Sequence, residues 1–69
     1  MAILKKLRKQ LADANNIPPY MVFADRTLNE MASVNPQNEA EFLSINGVGP
    51  AKLKQYGAAF LKVLNELAP

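Results

Sequence analysis

The chain has no cysteine, no histidine and no tryptophan. Without cysteine it has neither a disulfide framework nor a thiolate metal site. Without histidine it lacks the commonest metal ligand and the usual general base near neutral pH. No apolar run approaches the ~18 residues that a membrane span needs. No charged start leads into an apolar stretch with a small-residue cleavage site, so no signal peptide is expected and the chain reads as cytoplasmic. At 69 residues there is room for one small domain. A chain this short buries only roughly 60% of its unfolded surface on folding, so its stability is thin.

What is present suits a globular domain: 49% hydrophobic and 20% charged residues. Eight basic residues against six acidic ones leave a net charge of +2, too small by itself to imply a polyanionic partner. Their placement says more. Residues 1–9 hold Lys5, Lys6, Arg8 and Lys9 and no acid, and residues 50–65 hold Lys52, Lys54 and Lys62 and no acid. Of the remaining charges, Asp25, Arg26, Glu30, Glu39 and Glu41 lie between the two stretches, and Asp13 and Glu66 follow them. Side by side, the two stretches would form one positive face, with Lys5, Lys9, Lys54 and Lys62 in a single region.

The apolar spacing is helical throughout. Leu4, Leu7, Leu11 and Ala14 share one side of a helix over about 2–14, with Lys5, Lys6, Lys9 and Asp13 opposite and Arg8 at the border. Asn15-Asn16 stops that helix and Pro18-Pro19 forbids its continuation. Ile17–Phe23 has strand-forming residues but no partner strand, so it reads as an ordered connector with a helical turn after Pro19. Asp25 suits the N-cap of a helix over about 26–33, with Leu28, Met31 and Ala32 inward. Asn38 and Glu41 have capping-box spacing for a short helix from Glu39 to Ser44 or Ile45. Pro50 then opens a last helix to about Leu67, with Leu53, Tyr56, Phe60, Val63, Leu64 and Leu67 on one face. Gly57 lies on that face, which implies close approach of another helix. The expected fold is an all-α compact bundle of about five short helices. Its core is expected to include Leu7, Leu11, Phe23, Leu28, Met31, Phe42, Leu43, Ile45, Leu53, Tyr56, Phe60 and Leu64.

Nothing here forms a catalytic constellation. The carboxylates are scattered, and GVGPAK lacks both the spacing and the end of a Walker-type loop. No metal site and no cofactor are expected in this domain. Three features invite a binding role. The glycine turn before Pro50 resembles a helix-hairpin-helix, whose amides at Gly47, Val48 and Gly49 could meet a phosphate, with Lys52 and Lys54 beside them. The bland alternative is a glycine hairpin between packed helices. The stripe Lys5, Lys6, Arg8 and Lys9 is either a solvated helix face or a phosphate-binding one. Tyr20, after two prolines, is either a core plug or an exposed stacking platform.

Four blocks in order, LRKQLAD, IPPYMVFADRTLNEMA, INGVGPAK and YGAAFLKVL, cover nearly all of the chain. Together they resemble the HRDC domain, the helicase-and-RNase-D C-terminal module, and most of all its version in bacterial RecQ helicases. The resemblance implies a single non-catalytic domain over 1–69, monomeric, excised from a larger RecQ-type ATP-dependent 3′-to-5′ DNA helicase with ATP and magnesium in the parent. It implies weak binding of single-stranded or junction DNA that tunes substrate choice, in the bacterial cytoplasm with the nucleoid, with Tyr20 and nearby cations as the site. Other members dock on proteins or on their own helicase core instead, and that role stands as the alternative.

Overall fold

Each apolar stripe becomes a helix, and chain punctuation sets the ends. A computed structural model, which describes residues 2–67, contains α1 (Ala2–Asn15), a single 3-10 turn η1 (Pro19–Met21), α2 (Asp25–Val34), α3 (Glu39–Leu43) and α4 (Pro50–Leu67). There is no strand among the described residues. Asn16 and Asn35 stop α1 and α2 in the left-handed conformation, at φ 55° and 51°. Asparagine tolerates that region better than most residues. Beyond Asn16, the Ile17 amide returns to the Ala12 carbonyl at 3.0 Å, a Schellman-type closure. The turn expected after Pro19 is η1, closed by the Met21 and Val22 amides on the Pro18 and Pro19 carbonyls, each at 3.0 Å.

α1 packs on η1 and on α4, and α3 packs on α4. Phe23 sits at the centre of an aromatic cluster. Its ring meets Phe42, Tyr56 and Phe60 edge-on, with centroids 6.0, 6.0 and 5.1 Å away. Such edge-to-face pairs add about 0.5–1.5 kcal/mol each beyond the area they bury. Leu28, Met31, Ile45 and Leu64 close the core around it.

Several expectations need correction. The inner face of α1 is rotated: Leu4 and Ala12 are buried, Leu7 and Leu11 are half-buried, and Ala14 is exposed. The cause is Arg8, which bonds inward to the connector and draws the Leu4–Arg8–Ala12 edge with it. On α2 the third inward residue is Thr27 rather than Ala32, because the glycine hairpin lies over Thr27. Leu43 is exposed, since α3 ends there and Phe42 already fills the core position. Leu53 is half-buried, and Leu67 is exposed in the last turn of α4. Asp25 is the first helical residue of α2 and not its cap; Ala24 holds the cap position with no side-chain bond. The Asn38 Oδ1 accepts from the Glu41 amide at 2.9 Å as expected, but Glu41 returns to the Gln37 amide, one residue outside the usual box. Finally, the nearest neighbour of Gly57 is on its own helix. A Cβ there would stand 2.6 Å from Cδ1 of Leu53, one turn earlier on the same helix.

Candidate nucleic-acid interface

Tyr20 is the middle residue of η1, and its side chain is 69% exposed. It is not a core plug. Neighbouring residues explain why it stays out. Pro18 and Pro19 fix the backbone before it, and the buried Val22 and Phe23 anchor the chain after it. Met21 is also half-exposed. The turn thus presents an aromatic and a thioether side by side on the surface.

The cations around this turn fall into two kinds. Lys5, Lys6 and Lys9 are exposed on α1, the helix against which η1 packs. Arg8 is different: only 12% of its side chain is exposed, and its Nη1 donates to the Phe23 carbonyl at 3.0 Å and to Asp25 Oδ1 at 2.7 Å. Its Nε is buried without a partner. The hydrogen bond from Arg8, then its charge, hold the Asp25 carboxyl below its ordinary value of 3.8; desolvation opposes this, and the charge of Lys5 adds to the lowering. Arg8 was expected at the DNA surface, but its geometry is that of an internal tie between α1 and the start of α2.

Lys52 reaches η1 from α4. Its Nζ donates to the Met21 carbonyl and stands 5.6 Å from the centroid of the Tyr56 ring. The fold therefore brings Lys52 to the Tyr20 turn, although 31 positions separate it from Met21. Lys54 goes elsewhere. Two residues on a helix are about 200° apart around its axis, and Lys54 lines an open hollow with Glu39, Pro50, Leu53 and Ala58 on the α3 side. The first and last helices are adjacent as expected, and Lys52 and Lys54 point to different sides of α4.

The glycine hairpin is more internal than its motif suggested. Val48 is buried, and its amide donates to the Ile45 carbonyl at 3.1 Å, so it does not face outward to a phosphate. Gly47 has φ 92°, and a Cβ there would lie 2.3 Å from Thr27 Oγ1. The turn is therefore covered on one side by α2, which also grips it through Glu30, whose carboxylate accepts from the Asn46 amide and side chain, each at 3.2 Å. The Gly49 carbonyl accepts from the Leu53 amide at 2.9 Å and begins α4. The Lys52–Tyr56 contact had a signal in the sequence, their four-residue spacing on one helix. The contact of Lys52 with Met21 had none.

The molecule is an all-helical bundle with an exposed aromatic on a braced turn, and no group of three or more potential metal ligands is found among the described residues. No helix among those residues is long and apolar enough to cross a membrane. The family model of the HRDC domain matches residues 1–64, and the chain belongs to that family. The chain is similar to a part of the ATP-dependent DNA helicase RecQ of Haemophilus influenzae, with 52% identity over 65 residues, which cover 94% of this chain and 10% of that protein. The RecQ helicase of Bacillus subtilis is 43% identical over 65 residues, covering 94% of this chain and 11% of its own. The ATP-dependent DNA helicase UvrD2 of Mycobacterium tuberculosis is 39% identical over 61 residues, covering 88% of this chain and 9% of its own. The chain thus spans about a tenth of the length of these relatives. As an HRDC domain it is a non-catalytic accessory module.

Proposed function

We propose that this domain binds single-stranded or junction DNA weakly and tunes substrate choice in a larger RecQ-type helicase, whose motor uses ATP and magnesium. The observation that carries the reading is the exposure of Tyr20 on a turn that Lys52 reaches and that packs on the lysine-bearing α1. A base can stack on such a ring for about 1–3 kcal/mol, whatever its sequence. Lys5, Lys6 and Lys9 supply phosphate attraction from the neighbouring helix. The domain acts as a monomer, in the bacterial cytoplasm with nucleoid DNA, and contacts the helicase core of its own chain when that core presents the strand.

Binding of labelled single-stranded DNA at two salt concentrations tests this. Tyr20→Ala is expected to weaken binding by roughly five- to a hundredfold while the melting midpoint moves by a few degrees at most. Lys9→Glu should weaken binding to every sequence and reduce the salt slope by at least the ~0.7 that one phosphate contact contributes on a single strand. If Tyr20→Ala binds as tightly as the parent, stacking is wrong. If the parent shows no salt-dependent affinity at all, the domain docks on protein instead.

A further inference from the structure

The connector between α1 and α2 has no ladder to satisfy its backbone, so its carbonyls need donors from elsewhere. Two of them find cations. Phe23 O accepts from Arg8 on α1, and Met21 O accepts from Lys52 on α4. Met21 ends η1, where carbonyls lack an intrahelical partner and carry the negative end of the turn. The ammonium of Lys52 also lies over the buried ring of Tyr56, which is itself edge-on to Phe23. Lys52 is thus held between the turn and the core, whereas Lys5, Lys6 and Lys9 extend into water.

We infer that Lys52 is a positioning residue for Tyr20 and not a phosphate contact. It fixes the C-terminal end of η1 against α4, and so fixes the direction in which the Tyr20 ring points. The stiff prolines hold the turn from one side and Lys52 holds it from the other, so the ring meets a base without first being ordered. This rests on the stacking reading of Tyr20.

The two roles differ in salt dependence. A phosphate contact removed from single-stranded DNA lowers the salt slope by about 0.7, whereas a lost positioning residue lowers affinity and leaves the slope unchanged. Lys52→Met keeps the apolar stem and removes the donor. It is expected to weaken binding of a labelled oligothymidine by roughly five- to a hundredfold, as Tyr20→Ala does, at constant slope. In the Tyr20→Ala background it should cause little further loss, because both changes disable one device. Lys52→Gln, which retains a donor without the charge, should keep part of the affinity at the parental slope, and it serves as the test if Lys52→Met melts early. A slope reduced by about 0.7 with additive losses makes Lys52 a phosphate contact and overturns the inference. So does unchanged affinity in Lys52→Met when Tyr20→Ala is impaired. If Tyr20→Ala is itself unimpaired, it is the stacking reading that has failed.

Discussion

Arg8 carries more of the fold than its place in a basic stripe suggests. It joins three segments: its own helix, the carbonyl of Phe23 and the carboxylate of Asp25. Arg8→Met keeps much of the apolar stem but leaves the Phe23 carbonyl without its donor. Hydrogen bonds from charged groups contribute about 1.5–3 kcal/mol, and a loss of that order at neutral pH should appear in chemical denaturation. The pH dependence has a definite sign. Arg8 lowers the Asp25 pKa in the folded state, so the pair's contribution is present above the unfolded value near 3.8 and is lost as pH falls through the lowered folded one. The stability gap between parent and variant should therefore narrow, by the share that Asp25 contributes, as the solution is acidified below 3.8, while the share of the Phe23 carbonyl persists. An NMR titration should also find Asp25 shifted up in Arg8→Met. Equal pH dependence of the two proteins would show that Asp25 contributes nothing to the tie. Helical spacing set Arg8 at a border, apart from Lys5 and Lys9, but could not name its partners, which lie 15 and 17 positions away.

At the level of elements, the helices were legible because their signals are local. Apolar spacing found α2 and α4, the double proline found η1, and Asn38 with Glu41 found α3. Faces were harder, since the rotation of a helix depends on what lies across from it. Ala14 and Ala32 obeyed the spacing yet face water, because Arg8 and Thr27 made contacts that spacing cannot encode. The cap of α2 was misplaced by one residue, which leaves an opening for improvement. Ala24 has the extended backbone of an N-cap, φ −70° and ψ 160°, but no side-chain acceptor. Ala24→Ser supplies one, and a good cap stabilises by about 0.5–2 kcal/mol over alanine. For a domain of this size, each kcal/mol corresponds to roughly 4–8 °C in Tm. A thermal melt should move up accordingly, with DNA affinity unchanged because Ala24 lies outside the Tyr20 turn. No increase would mean that the first-turn amides are already satisfied by water.

For the whole molecule, the site was half legible. Candidate residue types could be named, but the sequence could not say which cations stay in water and which turn inward. That depends on how α4 sits over the connector. Its consequence for cooperativity comes from Phe23. This ring touches aromatic partners from α3 and α4, and it lies three residues after Tyr20. Phe23→Ala should cost about 3–5 kcal/mol, as large aromatic truncations do. A chain of 69 residues has only about 3–10 kcal/mol in total at the usual ~0.05–0.15 per residue. The proposed binding surface and the core thus share one keystone, and the Tyr20 turn has no separate melting transition available to it. In a urea series, capacity to bind single-stranded DNA and far-UV ellipticity should vanish at one midpoint, and loss of binding at lower urea would reveal a loosely attached turn. A strand bound at Tyr20 would accordingly raise the melting temperature of the entire bundle, so that heat stability alone reports the occupancy of a site made of one turn.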